Sequence, residues 1–467
     1  MPSQGLGGCS IPAPEALLGR LGKPKPQLQR CPIGGNSLAK PGQRGNCRRV
    51  IAPAPSGSGL TAPGRALAPF RYPAFRAIWT ANLTSNFGSM IQSVAAAWLM
   101  TDLTRSHQLV ALVQASTTIP ILLLAVFAGA IADNHDRRKV MLAAQAGMLI
   151  ASALLAALTF AGMASPFSLL FFTFAVGAGT ALNGPAWQAS VRLQVGPGDL
   201  AQAISLNTIA FNLARSVGPA LGGLLISLTS PALAFAINAL SYLALIAVLL
   251  RWKPEVAPPQ RQPMLAAIVT GLRFCATSSP VRRVLARGLL FGFAGVGYLA
   301  LVPLLVREQL GGSEVDFGLL LGAFGLGSIL TALWVAPARR RWGSEAVVGV
   351  AQMAFALALF PIAAAHSLAP ALAGALVAGG GWVATLSSLN VAMQLRSPEA
   401  ILGRCLSIYQ AVTFGGMALG AYAIGLLSDQ IGVAAAIQVS AGVLLALVPL
   451  LRWLAPMPGR DEGRISG

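Results

Sequence analysis

A short charged break separates two long apolar runs: Gly129-Ala-Ile-Ala-Asp-Asn-His-Asp-Arg-Arg-Lys139. The run before it covers residues 108–132, and the run after it covers residues 140–162. Each run is close to the roughly 20 residues that an α-helix needs to cross the hydrocarbon core of a bilayer. We therefore predict two membrane helices joined by a tight basic turn.

The composition extends this prediction to the whole chain. Charged residues make up only 10% of the 467 residues, and hydrophobic residues make up 55%. A soluble protein carries about 25% charged residues, so this chain lacks the polar surface of a water-soluble globule. We predict an all-α integral membrane protein with twelve transmembrane helices in two pseudo-symmetric six-helix bundles. The predicted spans are 76–101, 108–132, 140–162, 167–190, 202–228, 231–251, 284–307, 315–337, 346–365, 368–393, 405–428 and 432–455.

The predicted domains follow from these spans. They are a disordered, basic, Pro- and Gly-rich cytoplasmic tail (1–69), a first bundle (70–251), a cytoplasmic connector (252–283), a second bundle (284–455) and a short cytoplasmic tail (456–467). The run from Ile204 to Leu225 can be laid over the run from Leu406 to Leu427. This internal repeat supports a duplicated six-helix unit, an arrangement common in secondary transporters.

The charge distribution orients the chain. Lysine and arginine total 33, against 14 acidic residues. The predicted inner loops hold Arg137, Arg138, Lys139, Arg192, the basic residues of 251–287, Arg339, Arg340, Arg341, Arg396 and Arg404. The predicted outer loops hold Arg105 and Arg307 with the acids Asp102, Glu308, Glu314, Asp316 and Asp429. Cytoplasmic loops collect basic residues, so both termini are predicted to be cytoplasmic, and the basic excess requires no nucleic acid.

Several functional classes lack support in the sequence. The five cysteines and three histidines show no metal-ligand spacing, which argues against a metal site. No phosphate-binding loop ending in Gly-Lys-Ser/Thr is present, which argues against ATP-driven transport by this chain. We predict that the chain is not an enzyme and holds no cofactor.

The charged break resembles the loop signature of the major facilitator superfamily, in which a glycine precedes an aspartate by four residues and a basic cluster follows. Gly129, Asp133 and Arg137-Arg138 carry this resemblance. Asn134 stands where the family usually has a basic residue, and Asp136 stands where it usually has glycine. The Asp-x-x-Asp-Arg-Arg form resembles the branch of efflux permeases that contains the enterobactin exporters.

The resemblance implies a role for this loop. Asp133 and Arg137 would form a charge relay that latches the outward-open state, with Gly129 and Arg138 belonging to the same latch. The alternative is a basic loop that only sets topology. The corresponding stretch of the second half, residues 334–343, has no aspartate, so any latch there is expected to be weaker.

A second motif lies in the fifth span. Gly218-Pro219 and Gly222-Gly223 predict a kink and a face for close helix contact. The pattern is similar to a motif of exporters of this superfamily, which implies efflux.

Arg215 lies about one turn before that motif, inside the apolar run. An arginine in a membrane helix is costly and usually faces a wet cavity or a partner. It is expected to meet an anionic substrate group or a coupling carboxylate. Contact with backbone carbonyls, or a position at the helix end, are the alternatives.

Other polar residues on the first, second, fourth and fifth spans are candidates for the same cavity. They are Asn82, Asn86, Gln114, Asn183, Gln188 and Asn207. Each could instead make an ordinary interhelical hydrogen bond. No acidic residue lies in the middle of a span, so Asp133 from the inside and Asp102 from the outside are the nearest candidates for proton coupling.

Together the resemblance implies a monomeric exporter in the bacterial inner membrane. It would move a small amphipathic molecule, such as a siderophore or drug-like metabolite, by alternating access and proton antiport. Its partners would be this small molecule and the lipid bilayer, and its energy source the proton gradient. Uptake of a small polar solute and a non-transporting membrane sensor or scaffold are the alternatives.

Overall fold

A computed structural model describes residues 67–254, 264–398 and 401–457. These residues form helices, and the described ranges contain no β-strand. They belong to a compact unit that covers residues 61–467. Most of the predicted tail 1–69, residues 255–263 of the predicted connector and most of the tail 456–467 lie outside the described residues.

The first half contains six long helices after a short 3-10 helix at Ala68–Arg71. They are α1 (Pro73–Leu103), α2 (His107–Asn134), α3 (Arg137–Phe160), α4 (Pro166–Ser190), α5 (Leu200–Leu228) and α6 (Pro231–Arg251). Their starts carry ordinary capping signals. Ser106, Ser165 and Ser230 each accept a hydrogen bond from a backbone N–H in the first turn of the helix that follows.

The second half begins with the connector helix. Its elements are α7 (Met264–Thr277), α8 (Ser279–Leu304) with a π-helical extension (Leu305–Gln309), α9 (Glu314–Ala363), α10 (Leu368–Arg396), α11 (Leu402–Ile431) and α12 (Val433–Leu454). Helix α9 is 50 residues long and is broken at Gly343, where φ is 82°. It therefore consists of two helical segments, which correspond to the predicted spans 315–337 and 346–365.

Ten described helical stretches are long and apolar enough to cross a membrane. The broken helix α9 counts once among these ten, and the more polar α1 is not among them. The predicted all-α membrane fold is confirmed. The number of spans, twelve, stays a prediction, because length and composition alone do not support α1 as a span.

The helices pack mainly within each half, and two helix pairs make the most extensive contacts between the halves. In the first half, α6 packs on α1 and α3, and α4 packs on α2 and α3. In the second half, α9 packs on α10 and α12, and α8 packs on α11. Between the halves, α2 packs on α11 and α5 packs on α9.

We call the end with the α2–α3 loop the inner end, and the end with the α1–α2 loop the outer end.

A buried hydrogen-bond network holds the first half together. The side-chain oxygen of Gln92 in α1 accepts hydrogen bonds from Ser152 in α3 (2.8 Å) and from Asn238 in α6 (2.6 Å). Asn238 also donates to the hydroxyl of Tyr242 (3.0 Å). Polar groups in the hydrocarbon region must find partners inside the protein, and these three helices satisfy one another.

Candidate functional site

The loop between α2 and α3 is shaped by Asp136. This residue is the N-cap of α3, and its carboxylate accepts a hydrogen bond from the backbone N–H of Arg138 (3.0 Å). An N-cap carboxylate satisfies an unpaired backbone donor and lies favourably at the positive end of the helix. The aspartate that replaces the family's usual glycine therefore has a structural role in this chain.

The two arginines of the predicted latch contact the ends of neighbouring helices in the first half. Arg137 donates to the carbonyl of Ala189 at the end of α4 (3.4 Å). Arg138 donates to the carbonyls of Leu249 (2.7 Å) and Leu250 (2.8 Å) in the last turn of α6. The last carbonyls of a helix have no partner within the helix, and a cation at this end interacts favourably with them. Arg138 therefore anchors the end of α6.

The predicted pairing of Asp133 with Arg137 stays a prediction, because the side chain of Asp133 lies outside the described part of the chain. Gly129 faces the other half. A Cβ atom placed on Gly129 would lie 3.4 Å from the hydroxyl of Ser407 in α11, which is ordinary van der Waals distance. Gly129 thus lies where α2 meets α11, whereas Arg137 and Arg138 contact α4 and α6 of the first half.

The glycines of the α5 motif face two different helices. A Cβ atom on Gly218 would lie 2.6 Å from Cβ of Met90, and one on Gly222 would lie 3.1 Å from Cα of Ile91. Both contacts are with α1. Any side chain larger than hydrogen at Gly218 would force α1 and α5 apart.

The other face of α5 meets α9 across the boundary between the halves. A Cβ atom on Gly223 would collide with the carbonyl of Glu314, and one on Gly318 would lie 2.5 Å from the carbonyl of Pro219. Further towards the middle, a Cβ atom on Gly325 would lie 2.7 Å from Cα of Ser216. We call this backbone contact, from Gly223 to Ser216 on α5, the α5–α9 seam.

Arg215 lies at the inner end of this seam. Its carbonyl would be 2.9 Å from a Cβ atom on Gly325, and its side chain is half-buried. Among the described residues its guanidinium has no hydrogen-bond or ion-pair partner. The hydroxyl of the neighbouring Ser216 is buried and also lacks a partner in the described part of the chain.

The remaining polar candidates differ in exposure. Asn183 has a buried side-chain oxygen without a partner, and both polar atoms of Asn207 are buried without partners among the described groups. Asn82, Asn86 and Gln114 are half-buried, and Gln188 is exposed. No hydrogen bond joins any of these six side chains to another within the described ranges. The structure therefore leaves their predicted common cavity untested.

The outer end carries contacts between the halves that sequence reasoning did not find. Asp102, the predicted outer coupling acid, forms an ion pair with Arg307 of the π-helical extension. Arg307 also donates to the hydroxyl of Thr101 (2.7 Å) and lies over the ring of Trp98, 5.7 Å from its centre. Trp98 stacks on Phe317 of α9, with 6.1 Å between ring centres. Asp102 therefore helps to join the two halves.

A second contact group surrounds the start of α2. The carboxylate of Asp429 in α11 accepts hydrogen bonds from the backbone N–H groups of His107 (2.7 Å) and Gln108 (3.2 Å). The imidazole Nε2 of His107 lies 3.0 Å from a carboxylate oxygen of Glu308. Its Nδ1 lies 3.0 Å from the carbonyl of Ser428 and 2.9 Å from the hydroxyl of the same residue. We call His107, Glu308, Ser428 and Asp429, with the Asp102–Arg307 pair, the outer gate.

Comparison with known proteins identifies the family. A family model described as transmembrane secretion effector, of the major facilitator superfamily, matches residues 64–466. The chain belongs to this family. The predicted membership of the superfamily is thereby confirmed. The relatives of this facilitator are transporters, in agreement with the prediction that the chain is not an enzyme.

Characterised relatives of this facilitator include siderophore transporters. It is 27% identical to the enterobactin exporter of Shigella boydii over 392 residues, which are 81% of this chain and 92% of the relative. It is 26% identical to the enterobactin exporter of Salmonella typhimurium, over 84% of this chain and 96% of the relative. It is 23% identical to the staphyloferrin A transporter of Staphylococcus aureus, over 59% of this chain and 70% of the relative.

Solved structures show the same fold at low sequence identity. A D-xylose–proton symporter matches with a TM-score of 0.65 and 13% identity, over 83% of this facilitator and 98% of the symporter. A bacterial homologue of the human lysosomal transporter Spinster matches with a TM-score of 0.63 and 15% identity, over 83% and 96%. The family match makes this facilitator a multi-pass membrane transporter, and these structures share its fold.

Proposed function

We propose that this facilitator exports a small anionic molecule of the siderophore class by alternating access in the bacterial inner membrane, in exchange for protons. The observation that carries the proposal is the guanidinium of Arg215, half-buried near the middle of α5 and without a partner among the described residues. An arginine in this setting is suited to the carboxylate or catecholate groups that siderophores carry, because it binds planar anionic groups through two hydrogen bonds.

The position of Arg215 supports a role in alternating access. It lies where the α5–α9 seam ends, and that seam is one of the two most extensive helix contacts between the halves. A ligand bound there would change the contacts between the halves at the point where their separation begins. Substrate sites of secondary transporters lie near the membrane midplane between such repeats.

The relatives support the substrate class and the direction. Enterobactin exporters match this chain over most of their length. The Gly218-Pro219 pattern, which the superfamily resemblance associates with efflux, lies against α1 and continues into the α5–α9 seam. Proton exchange is the driving force that the resemblance implies.

The test is transport into inside-out membrane vesicles. A panel of metal-free siderophores with catecholate, hydroxamate or carboxylate groups would be supplied outside, with and without an imposed inward-acidic pH gradient. Accumulation of an anionic member that depends on the gradient supports proton-coupled export. Accumulation without dependence on the gradient would overturn proton exchange. Accumulation in right-side-out vesicles only would establish uptake instead.

A further inference from the structure

An apolar groove lies on the surface of the second half, beside the break in α9. Its walls are formed by residues 327–342 of the first α9 segment, 346–354 of the second segment and 376–384 of α10. Its volume is about 680 Å³, which is within the roughly 300–1,000 Å³ of ordinary ligand pockets. Apart from Thr331 and the indole N–H groups of Trp334 and Trp342, its described side chains are apolar. We call it the α9 groove.

The α9 groove opens at the surface of the membrane spans. Leu330, Val350 and Val377 line the groove and are exposed, one on each of its three walls. The exposed surface of a membrane span faces lipid, which offers no hydrogen-bond partners. An acyl chain therefore matches the chemistry of these walls.

Positive charge gathers at the inner mouth of the groove. Arg339, Arg340 and Arg341 directly precede Trp342, whose ring belongs to the wall. The guanidinium of Arg341 lies over this ring, 5.6 Å from its centre, in the geometry of a cation–π contact. The exposed indole of Trp342 thus joins the apolar groove to a cation at its mouth.

The arginines at this mouth lack a matching negative charge. Arg339 donates to the hydroxyls of two serines of α10 at 3.4 Å, and these acceptors are neutral. In the described part of the chain, neither Arg339 nor Arg341 pairs with a carboxylate. The next acid along the chain is Glu345, which pairs with Arg287 instead. An anion at the mouth would therefore be attracted by uncompensated positive charge.

We propose that the α9 groove binds an anionic phospholipid, with an acyl chain in the groove and the phosphate against Arg341. The guanidinium group suits this ligand because it can donate two parallel hydrogen bonds to a phosphate. The inner end is the side predicted to be cytoplasmic, where membranes carry anionic lipids and basic pockets between membrane helices bind their headgroups. Exposed tryptophans such as Trp334 and Trp342 are typical of the headgroup level.

The first half contains a corresponding groove that lacks this charge pattern. It lies between α2, α3 and α4, which are the counterparts of the two α9 segments and α10 in the order of the spans, and its volume is about 730 Å³. Its inner mouth carries Lys139 together with the carboxylate of Asp136, so the two charges offset each other. No tryptophan is found among its described lining residues. The first-half groove is therefore a control within the same molecule.

The test is native mass spectrometry of the delipidated full-length protein in detergent, titrated with phosphatidylglycerol or with zwitterionic phosphatidylcholine. We expect phosphatidylglycerol to bind at least about fivefold more tightly. Arg341→Gln should lower its affinity about fivefold, the contribution of one basic residue near an anionic lipid surface. Arg192→Gln is the control, because Arg192 is exposed at the inner end and lies outside the groove, and it should bind as the parent does. Equal affinities for the two lipids, or equal losses in the two variants, would overturn the proposal.

A second pair of variants tests the acyl chain separately from the headgroup. Val350→Trp fills the α9 groove from an exposed wall position and should lower phosphatidylglycerol binding at least about fivefold. Ala143→Trp places the same bulk in the first-half groove, at another exposed wall position, and should leave binding unchanged. Equal binding by these two variants would contradict the acyl-chain site. Displacement of phosphatidylglycerol by inorganic phosphate would show that the mouth binds free phosphate, and would also overturn the proposal. No cargo is present, so the result is independent of the proposed transport.

Discussion

Arg287 of α8 and Glu345 of α9 form an ion pair (2.8 Å) at the inner end, with the guanidinium fully buried. Arg287 also donates to the carbonyls of Leu451 (2.9 Å) and Ala455 (2.6 Å) at the end of α12. Arg138 makes the corresponding contacts with the end of α6 in the first half. Each half therefore uses an arginine to anchor its last helix at the inner end.

Replacing Arg287 by methionine should destabilise the second half strongly. Glu345 would lose its ion-pair partner and keep the hydrogen bond from the backbone N–H of Met457, and two helix-end carbonyls would lose their donor. Removing one member of a buried pair costs about 3–5 kcal/mol, and the partial exposure of Glu345 reduces this to about 2–3 kcal/mol. The measurement is the thermal unfolding midpoint in nanodiscs, with exposed Arg452→Met as the control. Equal midpoints for the two variants would show that the pair does not stabilise the fold.

Gly223→Ala should separate the two halves at the α5–α9 seam. The new methyl group would collide with the backbone of Glu314, which cannot move without shifting α9. We expect lower transport and a lower unfolding midpoint. Gly147→Ala in α3 is the matched control, because nothing lies within 4 Å of its Cβ position, and it should stabilise α3 by about 0.5–1 kcal/mol. Normal transport by Gly223→Ala would refute the close seam.

Asp136→Gly restores the residue that the superfamily usually has in this loop. The change removes the side chain that caps α3 and should destabilise the protein by a few tenths of a kcal/mol. Asp136→Ala removes the same cap and should destabilise the protein by about 1 kcal/mol. Chemical denaturation of the two variants measures the difference. If Asp136→Ala were as stable as the parent, the capping role would be disproved.

The thiol of Cys275 on the connector helix should react slowly with maleimides. The hydrogen bond with the thiol of Cys405 and burial both raise the pKa of Cys275 above its ordinary value, so little reactive thiolate forms near neutral pH. Labelling followed by peptide mass spectrometry should show much faster reaction at an introduced Met163→Cys, where the side chain is exposed. Comparable rates would mean that the connector helix leaves α11 readily.

The sequence predicted the helices well because the membrane demands long apolar runs. The predicted span 231–251 coincides with α6, and most of the predicted span 140–162 lies within α3 (Arg137–Phe160). Lipid supplies no hydrogen-bond partners, so each span must be a complete helix, and its length can be read directly from composition.

The contacts between helices could not be predicted in the same way. Arg287 was counted among the basic residues of the inner side, whereas it is fully buried against Glu345, 58 residues away. His107 and Glu308 are separated by 201 residues, and no spacing rule relates them. The sequence does indicate that acidic residues cluster at the outer ends of the predicted spans. Which residues pair there depends on how the two halves pack together.

We propose that Arg215 binds the transported anion between the halves. The most direct test compares initial rates of siderophore export by Arg215→Met, Arg215→Lys and Arg192→Met in proteoliposomes, with equal amounts of folded protein. Arg192 is exposed at the inner end and controls for loss of one positive charge. We predict that Arg215→Met lowers the export rate at least about tenfold, because a charged hydrogen bond contributes about 1.5–3 kcal/mol. Arg215→Lys should retain part of the export rate, and Arg192→Met should export at the normal rate. Equal rates for Arg215→Met and Arg192→Met would contradict the claim.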